Sequence, residues 1–378
     1  MNILFVIDNY ENQSNGGTIT TKRFKEARAA RGHTVKVLTI ATKNESHIYS
    51  LEEKKIPLVN GIISKQDMKF AVADKKKIRE ALSDIDICHL VFPFKLSRVT
   101  NEIAKSLNIP VVTSYHIMPE NITYGAGVRR LSPLVNWMAY IYFDTFYKKV
   151  DNLHLLSKMS SEFAAKRYTN ATRYVISNGV INDFTTIVNH PSDDKIRIIS
   201  IGRYSKEKAQ DITIKAIAKS KYKDRIELVL PGKGKQEKKL RKLANKYHID
   251  VKFGFLNKQE LMKALETSYM FVHSAEIEIE GMSCLEAIAS GVVPIISNAK
   301  KSASRFFSIE ANNSYKNRNT NDLKDKIEYW IENKQARENN LKAYKEFIKN
   351  YRFENSVDQF EEMYQDIIDR KNNLNIVD

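Results

Sequence analysis

Short apolar runs alternate with segments of helical period along nearly the whole chain, and the alternation starts afresh at residue 196. Residues 2–7 read as a strand, 18–31 as a helix stopped by Gly32, and 34–40 as a second strand. Residues 85–91 and 110–115 read as strands on either side of a helix at 96–107. After the polar stretch 182–195 come a strand at 196–201, a helix at about 209–219, and strands at 227–231, 251–253, 270–273 and 292–296. Strands joined through helices pair in parallel, with helices covering both faces of the sheet. The chain therefore predicts an α/β protein with two doubly wound, Rossmann-like domains. The boundary falls between residues 181 and 182. The tail, 321–369, reads as helices, with Val357, Phe360, Met363, Tyr364 and Ile367 at helical spacing.

A length of 378 residues exceeds what one hydrophobic core usually holds, and 42% hydrophobic residues suffice for two. Cys88 and Cys284 lie far apart in apolar contexts, with neither a disulfide framework nor metal-ligand spacing, which suits a reducing cytoplasm. The first residues read as a strand lacking the basic n-region and cleavage site expected of a signal peptide. The longest greasy segment, 134–146, contains Asn136 and Asp144 and falls short of the roughly 20 apolar residues that span a bilayer. Any membrane association is then peripheral. The net charge of +16 asks for an anionic partner or surface. Nucleic acid is the remote alternative. No helix-turn-helix pattern, zinc framework or aromatic RNA-binding motif accompanies the charge, so no specific nucleic-acid partner is expected.

The block 273–296 holds the most specific chemistry. A strand ending at His273 leads into an acidic loop with Glu276, Glu278 and Glu280, then a helix from about Ser283, Gly291, and a second strand. In an open parallel sheet, ligands bind where a strand's carboxyl end meets the next helix N-terminus. Carboxylates there accept hydrogen bonds from sugar or ribose hydroxyls, and the N–H groups of Met282, Ser283 and Cys284 face an anion. Glu286 alone would also serve as a first-turn acid favoured by the helix dipole. Glu276 and Glu280 are expected as surface charges or secondary contacts. The second element is 199–211, where a strand ends at Gly202 and delivers Arg203 and Lys208. Two cations at a strand end can neutralise a diphosphate, and a solvated Lys-rich loop is the plainer alternative.

The spacing Glu278-x7-Glu286, followed by Ala-x-Ala-x-Gly-x-x-Pro, resembles the Glu-x7-Glu element of retaining family-4 glycosyltransferases. Glu-Ile-Glu-Gly-Met-Ser-Cys-Leu-Glu-Ala is similar to the variant in bacterial 1,2-diacylglycerol 3-alpha-glucosyltransferases. The resemblance implies a GT-B fold. Its two Rossmann-like domains face a central cleft, and a C-terminal helix crosses back to the N-terminal domain. Residues 1–181 plus about 355–378 would bind the acceptor, and 182–354 the nucleotide sugar. It further implies that Arg203 and Lys208 stabilise departing UDP, with Glu278 on the sugar hydroxyls and Glu286 on the ribose. Gly16 and Gly17 would abut the diphosphate, Gly232 of the Gly-x-Gly loop would lie near the base, and His116 near the reacting centre. The family often has glycine where Ala209 stands, which leaves the local backbone open.

Glu120 and Asn121, in a run similar to one in lipid glucosyltransferases, are candidates on the acceptor side. Arg129, Arg130 and Trp137 are candidates at a membrane, because aromatic and basic residues mix from 128 to 149. A long core helix fits that segment equally well. The implied reaction is metal-independent transfer of glucose from UDP-glucose to a membrane lipid such as diacylglycerol, without cofactor, at the inner face of the cell membrane. A soluble, polyprenyl-linked or phosphoinositide acceptor is the alternative.

Overall fold

The computed structural model describes residues 1–11, 16–41, 46–54, 69–120, 132–191 and 194–377. Two compact units emerge: Met1–Ile176 with Ser356–Asp378, and Ser177–Asn355.

The first unit is built on seven parallel strands: β1 (Asn2–Asn9), β2 (Thr34–Ile40), β3 (Ile48–Ser50), β4 (Ile87–Leu90), β5 (Val111–Tyr115), β6 (Asn152–Leu155) and β7 (Thr172–Val175). Their spatial order is β3-β2-β1-β4-β5-β6-β7. Ile3 to Ile7 are buried without alternation, as a central strand covered on both faces requires. The helix Gly16–Ala30 begins two residues earlier than its pattern suggests, so Gly16 and Gly17 form its first turn.

The last helix, Phe353–Val377, belongs to the first unit from Ser356 onward. Its Val357, Phe360, Met363, Tyr364 and Ile367 are buried. Phe360 packs on Phe24 with ring centroids 4.2 Å apart, and the buried Arg28 guanidinium lies 4.5 Å from the Tyr364 ring.

A chain of hydrogen bonds joins this helix to three strands, and its direction is fixed by one carbonyl. His154 Nε2 lies 2.9 Å from Ile176 O, which only accepts, so Nε2 carries the proton and Nδ1 accepts. Ser114 Oγ then donates to His154 Nδ1 (2.7 Å), accepts from His89 Nε2 (2.6 Å), and leaves His89 Nδ1 to accept from Tyr364 Oη (2.6 Å). Both imidazoles are held neutral. Burial, with smaller repulsions, pushes His89 well below the usual value, and burial, partly offset by the bond to Ile176 O, takes His154 down to about 4. The unfolded chain takes these protons near pH 6.5, so the stability they carry is full above that pH and is lost as pH falls toward the folded values. Hydrogen-exchange protection of residues 356–373 should therefore drop between pH 6.5 and 4, ahead of the second sheet. Equal protection across that window would contradict this.

The second unit carries six parallel strands: β8 (Ile196–Ile199), β9 (Ile226–Pro231), β10 (Asp250–Gly254), β11 (Met270–His273), β13 (Val293–Ser297) and β15 (Ser314–Tyr315). Their order is β10-β9-β8-β11-β13-β15. A separate pair, β12 (Ile277–Glu278) and β14 (Lys301–Ser302), lies in the acidic loop and beyond the helix Met282–Ala289. Trp330, Leu323 and Ile327 of the helix Thr320–Glu332 are fully buried in this unit's core.

Candidate functional site

In the second unit the loops leaving β8, β9 and β10 are tied to one another. Gly202 N donates to Pro231 O (3.0 Å), Tyr204 N to Lys233 O (3.0 Å), and Gly232 N to Gly254 O (2.8 Å). Buried Tyr204 donates its hydroxyl to Leu230 O and accepts from Gly254 N at 3.0 Å. Gly232, at φ +157°, leaves no room for a side chain, because a Cβ would lie 2.1 Å from Gly202 O. Gly232→Ala should lower unfolding stability by about 2 kcal/mol or more through backbone displacement, measured by urea titration. An unchanged midpoint would show that the two loops separate freely.

This frame presents Arg203 and Lys208. Arg203 is largely exposed, its Nη2 3.5 Å from an oxygen of buried Glu207. Lys208 is partly buried and donates to Glu278 Oε2. Directly after Lys208, Ala209 sits in the left-handed region (φ +49°, ψ +35°) at the start of the helix Gln210–Lys219. That backbone suits glycine better, which accounts for the glycine that the family often has at this position.

The acidic loop lies opposite. Pairing of β12 with β14 sets Glu278 beside Ser302. Burial raises the Glu278 pKa, but Lys208, His273 and Arg203 outweigh it and hold the carboxyl below its usual value. His273, at the end of β11, is buried with Nε2 3.6 Å from Glu278 Oε2. Burial and the Lys208 charge, opposed by Glu278, push His273 down to about 4, so it stands neutral at physiological pH. His273 was not expected at the site. Its signal was a histidine at a strand end directly before the acidic loop.

The helix Met282–Ala289 starts at Gly281 (φ +96°), where a Cβ would meet Ser304 Oγ at 2.2 Å. Glycine supplies no side-chain cap, leaving the first turn open to an anion at Met282 and Ser283. Of the three residues expected there, Cys284 packs its thiol into the core and donates its N–H to Gly281 O at 2.9 Å. Glu286 is partly buried on the same helix.

One expectation needs correction. Glu280 is not a surface charge: it is buried and accepts from Ser177 Oγ (2.6 Å), Asn178 N (2.6 Å) and Asn178 Nδ2. Burial, partly offset by these donors, raises its pKa to about 7. Glu276 is held by Arg318, whose Nη2 lies 3.0 Å from one oxygen, while its own N–H bonds Glu207 O at 2.8 Å.

In the first unit, His116 follows β5 and Gly16–Gly17 follow β1, both at carboxyl ends of the sheet. His116 lies edge-on to Phe92 (6.1 Å) and His154 (6.0 Å), and burial, with His154, pushes it down to about 3. Glu120 is buried and accepts from Tyr140 Oη at 2.8 Å, a contact from the helix Ser132–Tyr147. Trp137, on that helix, is exposed. Asn121, Arg129 and Arg130 lie outside the described residues.

Two cations, a carboxylate and a helix start without a side-chain cap thus stand together at the carboxyl edge of this unit's parallel sheet, an arrangement whose charges suit a nucleotide sugar. Family models agree: "Glycosyltransferase Family 4" matches residues 14–184 and "Glycosyl transferases group 1" matches residues 183–352. The chain belongs to the family-4 glycosyltransferases, and its two parallel-sheet units are those of the GT-B fold. It is 23% identical over 320 residues to the alpha-monoglucosyldiacylglycerol synthase of Streptococcus pneumoniae (strain ATCC BAA-255 / R6), covering 79% of this chain and 71% of the relative. Among solved structures, sucrose-phosphate synthase from Thermosynechococcus elongatus superposes with a TM-score of 0.78 at 15% identity, over 98% of this chain and 100% of that one. Anabaena Alr3699/HepE in complex with UDP-glucose gives 0.71 at 16% identity, over 97% and 100%. At these identities the structural likeness is one of fold.

Proposed function

We propose that this glycosyltransferase is a retaining enzyme that moves glucose from UDP-glucose to a membrane lipid such as diacylglycerol. The observation that carries the donor half is the Lys208–Glu278 pair, flanked by Arg203 and the open helix start at Met282–Ser283. With donor bound, Lys208 and Arg203 take the diphosphate and Glu278 turns to the sugar hydroxyls, with Glu286 on the ribose. The acceptor hydroxyl attacks the anomeric carbon from the face that UDP leaves. Its proton passes to the departing phosphate oxygen, so the route calls for no divalent metal and no enzyme nucleophile.

The acceptor half is supported by the name of the Streptococcus relative, a glucosyldiacylglycerol synthase. It is also supported by the helix Ser132–Tyr147, which buries Phe143, Phe146 and Tyr147 yet leaves Leu134, Trp137, Met138 and Ile141 45–60% exposed. That spacing (i, i+3, i+4, i+7) is an apolar stripe facing outward, a form suited to the plane of a bilayer interface. No described helix is long and apolar enough to cross a membrane. In this reading attachment is peripheral, at the inner face of the cell membrane, where the +16 charge meets anionic lipid.

A product assay by mass spectrometry, with UDP- and GDP-sugars and mixed lipid vesicles, should give hexosyl lipid from UDP-glucose. Product only on soluble, polyprenyl-linked or phosphoinositide acceptors would overturn the diacylglycerol assignment. Trp137→Glu should weaken sedimentation with anionic vesicles about tenfold, since one interfacial tryptophan contributes on the order of 1–2 kcal/mol. Equal sedimentation would remove this helix from the membrane contact.

A further inference from the structure

Glu280 is a buried carboxylate that the reaction above does not use. It stands two residues beyond Glu278, and its oxygens are taken up by Ser177 and Asn178, the first residues of the second unit. The turn is closed by Gly179 N donating to Ser177 Oγ at 3.1 Å. One residue on, Val180 N donates to Tyr351 O (2.7 Å) and Phe353 N to Val180 O (3.0 Å). The segment entering this unit and the segment leaving it are therefore stitched together, and Glu280 holds the entering one.

The acidic loop is equally constrained on its other side. Glu278 is fastened to Lys208, Gly281 is packed against Ser304, and only buried Ile279 separates Glu278 from Glu280. A segment this short and this well packed cannot shift at Glu278 without shifting at Glu280.

We propose that Glu280 is a positioning residue for transfer: it couples donor occupancy at the Glu278 loop to residues 177–180, where the chain enters the donor-binding unit. The proposal rests on the donor reading given above. Asn178 supplies an internal control. Its Oδ1 is buried and has no hydrogen-bond partner among the described residues. Rotating that amide about its last torsion exchanges Nδ2 for Oδ1. The amide introduced by Glu280→Gln then donates to Oδ1 and still accepts from Ser177 and the Asn178 N–H. Glutamine can keep the connection that alanine removes.

The test uses the full chain with UDP as the probe. Amide hydrogen exchange at 177–181 is measured with and without UDP, alongside calorimetric UDP affinity and steady-state kcat and KM for UDP-glucose. In the wild type, UDP should slow exchange at 177–181. In Glu280→Ala, UDP should bind within ~3-fold of wild type, yet the slowing should vanish and kcat should fall ~10–100-fold with KM little changed. Glu280→Gln should restore both within ~3-fold. Ser177→Ala, which leaves Glu280 in place, should show a partial loss and covers the case in which Glu280→Ala fails to fold.

UDP-dependent slowing retained in Glu280→Ala, or in Ser177→Ala at full strength, would overturn the proposal. So would a loss of UDP affinity matching the loss of kcat, because Glu280 would then only shape the pocket. A wild-type protein that bound no UDP would refute the donor reading itself, and the coupling with it.

Discussion

Glu278→Gln is expected to lower sugar transfer by ~10²–10³-fold, about 3–4 kcal/mol of transition-state stabilisation, while the protein stays folded. The carboxylate is held ionised chiefly by Lys208, with Arg203 adding a smaller pull, despite its burial, so charge is what the substitution removes. Glutamine has nearly the same shape and can still touch a sugar hydroxyl. It cannot offset the positive charge that builds at the anomeric carbon as UDP leaves. The change also frees the Lys208 ammonium from its partner. UDP affinity should therefore hold or rise while turnover collapses. Calorimetry with UDP beside a turnover assay separates the two effects. Near-normal turnover would remove Glu278 from the reaction.

Lys208→Ala should have the opposite signature, with UDP affinity down ~10–100-fold and turnover down at least as far, since a charge-assisted bond to a diphosphate is worth roughly 1.5–3 kcal/mol. It also leaves the Glu278 carboxyl partly buried without its ion partner, and that carboxyl's pKa should rise, because Lys208 is the largest influence holding it down against burial. Arg203→Ala is the natural comparison. Arg203 is mostly exposed and its contact to Glu207 is long, so its loss should leave stability within about 0.5 kcal/mol while weakening UDP-glucose use. A Lys208→Ala enzyme with wild-type UDP affinity would show that the cation does not serve the diphosphate.

The parts of this arrangement that were legible in sequence are those with local signatures. Continuous apolar runs such as 2–7 and 270–273 announced central parallel strands, and Arg203, Lys208, Glu278 and Glu286 stood in two strand-end blocks whose spacing is similar to that of the family. What stayed hidden depended on partners distant in the chain. β6 and β7 are four residues each and carry Asn152, His154 and Arg173, so no apolar run marks them. Asn152 and His154 are tolerated inside because Asn152 Nδ2 reaches Val111 O at 2.9 Å and His154 joins the Ser114–His89–Tyr364 chain. Glu280 looked like a loop charge for the same reason: its donors, Ser177 and Asn178, come from about a hundred residues earlier. Ala209 carried a readable hint, since the position that favours glycine in similar sequences proves to be left-handed here.

Same-face transfer from UDP-glucose is the central claim, and the configuration of the new linkage tests it most directly. Glucosylated lipid made by the wild-type protein from UDP-glucose should show an α-anomeric proton by NMR, the configuration of the donor. A β-linked product, or UDP release with no glycosylated lipid, would contradict it.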